Sequence, residues 1–405
     1  MVLVIGGNAA PPDSLGGLQT AFYVVAAFIV LAVPTACMGA TLPLLARQLV
    51  TTPAQIGQRV GALYAFNTLG AAAGALCAAY LLLPQLGLTG TVLVGAVTNV
   101  IVFVLAVTIS RALGFAKRPP PSWEDASAAV SLANTSQARP LGARLAAGRQ
   151  WILPVMLISG VASFIYEVLW TRMLSNILGG SIFAFATMVA TFLLGIAAGG
   201  AVASRIARNH SISLTAFIVC QIAVALASIG IYLSLDTLIP QRAGLADNAG
   251  FTMAVLLPAT FFIGATFPLA VRILVDDPDR AAVASASVYA WNTVGAIAGA
   301  LLAGFVVIPE FKFEGTIYLA ALVNLGLAVL TCLLVARAPI KYSAVAFAVA
   351  ITVAMLFRPQ PPLNLLRTSP LNLAKEGTLR YYGVGRSASV VALEQNGMRK
   401  PAGEF

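Results

Sequence analysis

The chain has 405 residues, of which 59% are hydrophobic and 9% charged, and its mean hydropathy is +0.91. A soluble domain carries about 25% charged residues, so this sequence cannot cover a water-facing surface and reads as a polytopic membrane protein. The net charge of +10 comes from cations in short loops between apolar runs, with no basic stripe, which excludes nucleic acid as a partner.

In chain order, runs long enough to cross a bilayer at about 20 residues each fall at 20–45, 60–84, 90–110, 151–177, 181–203, 212–238, 250–275, 283–308 and 315–336. A shorter run follows at 343–357. The expected fold is an all-α polytopic membrane protein of about 9–10 transmembrane helices. Between the third and fourth runs lies a polar linker, 111–149, containing "KRPPPSWEDASAAVSLANTSQARP", whose composition predicts disorder. It holds Arg111, Lys117, Arg118, Arg139, Arg144 and Arg149 against Glu124 and Asp125. The loops expected at the other end, 178–181, 239–249 and 309–314, hold only Arg242 and Lys312 as cations. The excess of Lys and Arg places the linker in the cytoplasm, and the protein in the inner (plasma) membrane. Cys37, Cys77, Cys220 and Cys332 are scattered singly and read as small buried hydrophobes. The single histidine, His210, has no metal-ligand spacing around it. No metal is expected.

Two segments match without a gap at an offset of 225 residues. "GATLPLLARQLVTTP" (39–53) pairs with "GATFPLAVRILVDDP" (264–278), and "YAFNTLGAAAGALCA" (64–78) with "YAWNTVGAIAGALLA" (289–303). Residues 39–99 share 25 identities in 61 positions with their counterparts, including Arg, Pro, Tyr and Asn, which apolar bias alone does not align. The complete unit, 150–337, holds six spans. An even number returns the chain to its starting side, so the copies are expected to be parallel repeats about an axis along the membrane normal, as in the major facilitator architecture. The first copy, 1–110, shows three spans. At the same offset residues 1–19 fall on 226–244, so the counterpart of "YEVLWTR" would precede Met1 and the sequence reads as a piece.

Pro43 and Pro268 each remove a helical donor and free the carbonyl four residues earlier, at Gly39 and Gly264. Such a kink either lines a cavity or merely packs. Tyr64 and Asn67 share one helical face with Gly74, as do Tyr289 and Asn292 with Gly299. The pairs Gly70/Gly74 and Gly295/Gly299 permit close helix contact. The asparagines either bond between helices or form symmetric polar groups at the interface between halves, where transporter substrates bind. Glu167 and Arg172 stand in the apolar run "LISGVASFIYEVLWTRMLSNILGGS" (157–181). They are about 140° apart around a helix and are not natural partners. Arg172 either snorkels to the surface or joins a site. Glu167 lies deeper, and an intramembrane acid marks a pathway or relay. These six polar residues are the candidate substrate-binding set.

The combination of "SGVASFIYEVLWTRMLSNILGGSIFAFATMVATFLLGIAAGG", "GATLPLLAR" and "LYAFNTLGAAAGA" resembles the bacterial fused major-facilitator/spermidine synthase family. The resemblance covers about 20–110 and 150–336. In that family the membrane module precedes an aminopropyltransferase-like domain. Here 338–376 forms a short apolar segment and linker, and "GTLRYYGVGRSASVVALEQNG" (377–397) resembles the β-hairpin opening that domain, which would begin at 377 and stop at Phe405. The resemblance implies polyamine metabolism, and decarboxylated S-adenosylmethionine as cofactor only for full-length relatives. The Gly-rich cofactor loop and the acids that would hold the amine have no counterpart, so neither catalytic residues nor a cofactor are expected in this chain. "VLVIGG" (2–7) resembles a strand entering such a loop, but leads into "NAAPPDSLGG" and a membrane span, without the helix and distant acid required.

Two functions compete. In one, the module anchors or serves an enzymatic domain. In the other, it binds or carries a small, possibly cationic, solute such as a polyamine. The bilayer is a partner in both, and the oligomeric state is left open.

Overall fold

The computed structural model describes residues 17–112, 149–239, 245–335, 348–349, 351–352, 355–356, 360–363, 365, 378–385, 389–395 and 398–402. Most of the linker 111–149 and of the run 343–357 therefore lies outside the described residues. The helices are α1 (Gly17–Leu49), α2 (Gln55–Cys77), α3 (Leu83–Ala112), α4 (Ile152–Leu178), α5 (Ile182–Ile206), α6 (His210–Leu238), α7 (Leu245–Leu274), α8 (Ala281–Leu302) and α9 (Ile308–Leu330).

Among the described residues, seven continuous helical stretches are long and apolar enough to cross a membrane. Two of them, Gln55–Ala112 and Pro278–Val335, have 58 residues each. A straight helix of that length would extend about 87 Å against an apolar core of about 30 Å. Each instead turns back, at Gly87 (φ 64°, ψ −173°) and at Lys312 (φ 55°, ψ −167°). The described residues thus supply nine spans, at the positions read from hydropathy.

The two turns lie at the repeat offset, and their surroundings are duplicated too. A π-helical segment precedes each, Ala78–Leu82 and Ala303–Val307. Thr91 donates to the Gly87 carbonyl (2.8 Å) and Thr316 to the Lys312 carbonyl (2.5 Å). Both copies also run the same way. The start of α2 packs at Gly57 against Ala207, just beyond α5, while α8 begins directly after the short turn that follows α7. Both are at the end of the bundle where Arg149 enters, called here the linker end.

The core divides along the bundle axis. Towards the linker end, Ile56, Val60, Val155, Phe217, Ala284 and Val288 pack together. Towards the far end, Tyr166, Trp170, Leu235, Phe313 and Ile317 do so. The outer faces are apolar and exposed, as in a bilayer-embedded protein. α3 has no buried residue at all. Cys220 and Cys332 are buried and Cys77 half-buried, but Cys37 is exposed on the apolar flank, which departs from the expectation that all four lie inside. At that position the helix faces outward, and a small thiol is compatible with lipid.

The C-terminal segment forms a three-stranded antiparallel meander, β1 (Thr378–Val384), β2 (Ser389–Gln395) and β3 (Met398–Ala402), with order β1-β2-β3. The β1–β2 hairpin matches the sequence expectation. β3 is additional, because it starts two residues after "EQNG" begins its turn and carries the charged pair Arg399 and Lys400, which mask a strand pattern.

Candidate functional site

The meander is not a free appendage. Tyr382 and Val384 of β1 and Leu365 belong to the far-end core with Trp170 and Phe313. Arg172, near the end of α4, donates to the Gly385 carbonyl (3.0 Å) and to the Gly304 carbonyl in the α8 π segment (3.4 Å). A π segment leaves its carbonyls less well paired than an α-helix does, so a guanidinium can reach one. Lys312, at the α8–α9 turn, lies 5.1 Å from the centre of the Tyr382 ring. Burial and the neighbouring Glu314 carboxylate push the Tyr382 hydroxyl well above the usual phenol range. Nearby, the Tyr232 hydroxyl at the end of α6 donates to the Gln360 carbonyl (2.7 Å).

These contacts place the tail at the far end. Val335 packs in the linker-end core, while Gln360 touches the far end of α6. The chain between Val335 and Gln360 therefore joins opposite ends of the bundle, the task a tenth crossing at 343–357 would perform.

The repeat-related aromatic residues meet in the other half. Tyr64 stacks on Phe267 (ring centres 4.5 Å, 27°), and Tyr289 meets the same ring edge-on (6.2 Å, 89°). Phe267 follows Thr266 in the "GATFP" motif and precedes Pro268, whose counterpart motif has Leu42 in its place. Sequence reasoning missed Phe267, although this Phe-for-Leu difference beside a repeated proline was a visible signal.

The glycines around these rings serve close packing. A Cβ on Gly264 would come within 2.1 Å of the Ile196 carbonyl oxygen, and one on Gly61 within 2.8 Å of Pro268. Gly39 faces the Tyr289 ring at ordinary contact distance.

The asparagines are not gathered into one site. Asn67 is exposed on the flank of α2. Asn292 presents its backbone carbonyl to Gly160 of α4, where a Cβ would lie 2.3 Å away. Glu167 is half-buried. It lies seven residues beyond Gly160, hence about 10 Å farther along α4 and on nearly the same face. The structure thus places Glu167 away from the tyrosine pair, with no hydrogen bond or ion pair of its own among the described residues. The polar groups that do pair in the bundle are others. Asn324 donates to the Tyr166 hydroxyl (3.5 Å), and Gln221 to Ser159 (3.2 Å). Asn324 was visible in the repeat through its match with Asn99, but its partner comes from α4 by tertiary packing, which no local pattern reports.

Between α2 and α5 a pocket opens at the linker end. Gln58, Arg205 and Arg208 line its polar part and Phe66, Leu69 and Leu194 its apolar part. Beside this end, Asp276 accepts from Arg149 and from Arg272 (2.8 Å). Burial opposes ionisation of Asp276, but the two guanidinium groups hold its carboxyl below the usual range. His210 lies 3.7 Å from Asp276; burial and the same guanidinium groups outweigh that carboxylate and push the imidazole below its ordinary value. No cluster of three or more metal-ligating side chains occurs among the described residues. No family model, curated protein or solved structure matches the chain.

Proposed function

We propose that the chain is the membrane module of a spermidine-synthase-like fusion protein, anchoring a C-terminal β-rich segment on the far end of a helical bundle built in the major facilitator manner. The observation that carries this reading is the Arg172–Gly385 contact, together with burial of Tyr382 and Val384 against α4 and α9. An anchor needs a rigid seat, and α4 and α9 of the complete helical unit supply it. Arg172, one of the two unexpected charges in its span, then has a structural task. The link to polyamine chemistry rests on sequence resemblance.

A cysteine pair tests the seat. Arg172→Cys with Gly385→Cys should be joined in isolated membranes by a thiol cross-linker about as long as the arginine side chain it replaces, whereas Arg172→Cys with Thr51→Cys, at the linker end, should not. Equal yields from both pairs would remove the seat and the anchoring reading. The same membranes, given putrescine and decarboxylated S-adenosylmethionine, should produce no spermidine, and measured turnover would overturn the reading that this chain lacks a catalytic site.

A binding or transport role is favoured by one observation, the half-buried Glu167, which has no hydrogen bond or ion pair among the described residues. Intramembrane acids without partners are costly and are used as relays or cation sites. The lining of the α2–α5 pocket argues against a polyamine there, because Arg205 and Arg208 repel a cation. Binding of labelled spermidine to reconstituted protein, lost in Glu167→Gln, would favour this reading over the anchor.

A further inference from the structure

The internal duplication provides a control for every surface of the first copy. In the second copy, α8 lies against α4 so closely that a Cβ on Gly295 would come within 1.9 Å of the Leu157 carbonyl oxygen, and one on Gly299 within 2.4 Å of that of Val161. These glycines exist for backbone-to-backbone contact with a helix. Their counterparts on α2, Gly70 and Gly74, face open space, with nothing among the described residues within 4 Å of either built Cβ.

A polar residue marks the same flank independently. Asn324 of α9 is only 2% exposed and bonds the Tyr166 hydroxyl of α4. Its counterpart Asn99 on α3 is exposed, with no hydrogen bond among the described residues. An amide facing hydrocarbon without a partner is unfavourable. On α9, Ile317, Ala320, Ala321 and Leu325 are buried, while no residue of α3 is.

We infer that the α2–α3 flank, marked by Gly70, Gly74 and Asn99, is a docking face for a transmembrane helix of α4's chemistry. Its occupant presents unobstructed backbone where Leu157 and Val161 stand on α4, and a tyrosine hydroxyl, placed as Tyr166 is, to Asn99. Among the described residues the seam between copies leaves this face free, because α2 and the π segment after it reach the α5 side through Gly57, Gly61 and Tyr80, on another side of the helix. Anchoring of the tail and docking at this face are separable, since the tail sits on α4 and α9.

The probe is a synthetic peptide of residues 152–178 carrying Val161→Cys, added to the full chain in lipid nanodiscs. The chain has its four native cysteines replaced by alanine and carries Gly74→Cys. A disulfide between peptide and chain is expected, at a yield about tenfold above that of a Gly326→Cys control on α9; Gly326 also faces open space. Asn99→Ala in the chain, or Tyr166→Phe in the peptide, should reduce the yield several-fold. Fluorescence anisotropy of the labelled peptide with the unmodified chain provides the same comparison without cysteines. Yields equal to the control, with no anisotropy change, would show that lipid alone covers the face. A Gly74→Cys disulfide joining two full chains in preference to the peptide would assign the face to a second copy. Either result overturns the proposal.

Discussion

Gly87 and Lys312, 225 residues apart, reverse the chain with backbone angles that agree within about ten degrees. The conformation, with φ near +60° and ψ near 180°, is almost reserved for glycine. The first copy has the residue that suits it and the second does not. At Lys312 the turn is held from three sides: the Thr316 hydroxyl on its carbonyl, the Tyr382 ring under its ammonium, and Phe313 buried directly after it. The tail that docks at this turn has no equivalent at Gly87, where the Thr91 hydroxyl on the carbonyl repeats the first of these supports and Leu88, the counterpart of Phe313, is exposed.

A β-branched residue at Gly87 should therefore be costly. Gly87→Val is expected to lower stability by about 1–3 kcal/mol, the range for a side chain forced into such a conformation. Thermal unfolding in detergent should show the loss, while Leu88→Val, one residue on and exposed, changes little. Equal melting of Gly87→Val and the parent would mean that the turn is not built on positive φ.

Arg172 should hold the meander in place. A charged hydrogen bond contributes about 1.5–3 kcal/mol in favourable settings, and the half-buried position of Arg172 argues for the lower end. Arg172→Gln is expected to speed amide hydrogen exchange across 378–385 several-fold while leaving α6 and α7 unchanged. Unaltered exchange in β1 would show that apolar contacts of Tyr382 and Val384 alone seat the tail.

How far these features can be read from sequence depends on their range. The spans and the duplication are local or periodic signals, carried by run length and by the 225-residue offset, and both appear in the described helices. The reversals at 87 and 312 lie where the hydropathy reading separated spans, although nothing in "EFKFE" announces a left-handed lysine. The partners of Arg172, Tyr166 and Phe267 come from segments 22 to 213 residues away. Such pairings are fixed by packing, and a single sequence does not record them. Glu167 stood out as a charge in an apolar run, but charge alone does not say which neighbours it has.

The linker-end cluster should make stability fall with acid. His210 and Asp276 both have depressed pKa values in the folded protein. In each case the unfolded chain therefore takes up a proton at higher pH than the native one does, and acid favours unfolding. For His210 the loss begins as pH falls through the unfolded value of 6.5 and continues to the lower folded one. For Asp276 it begins near 3.8. Asp276 is nearly half exposed, so its share is at most about 1 kcal/mol after solvent screening. Melting temperatures measured between pH 7 and pH 4 should decline, and His210→Gln should flatten the upper part of that decline. An undiminished slope in His210→Gln would assign the effect to other groups.

Removing Asp276 should cost more than its own ion pair suggests. Arg272 is buried, and its guanidinium is shared between Asp276 and the Val275 carbonyl (3.0 Å). Asp276→Ala leaves a buried cation with one partner, a situation that costs about 1–3 kcal/mol. Arg149→Ala removes only the exposed partner and is expected to cost a few tenths. Comparing the two variants by thermal unfolding separates burial from surface attraction; equal losses would contradict the assignment of Arg272 as the dependent group.

The side on which the tail emerges follows from two arguments that can be tested apart. Geometry places the meander and the linker at opposite ends, because Val335 lies in the linker-end core and Gln360 on the far end of α6. Charge supplies the second argument: Arg149, Arg205, Arg208, Arg272 and Arg280 gather at the linker end, and an excess of Lys and Arg is expected on the cytoplasmic side. Arg358, Arg367, Lys375, Arg380 and Arg386 in the tail region oppose the assignment, but charges that follow the last crossing in a long segment have little power to prevent translocation. The run 343–357 would span only about 22 Å as a helix, a deficit that local thinning accommodates. Alkaline phosphatase fused after Phe405 should therefore be active and green fluorescent protein at the same place dark, while both reporters inserted near residue 130 give the reverse. The same reporter responding at both positions would break the geometric argument, since tail and linker would then share a side. A clean inversion at both positions would leave the geometry standing and overturn the orientation read from charge.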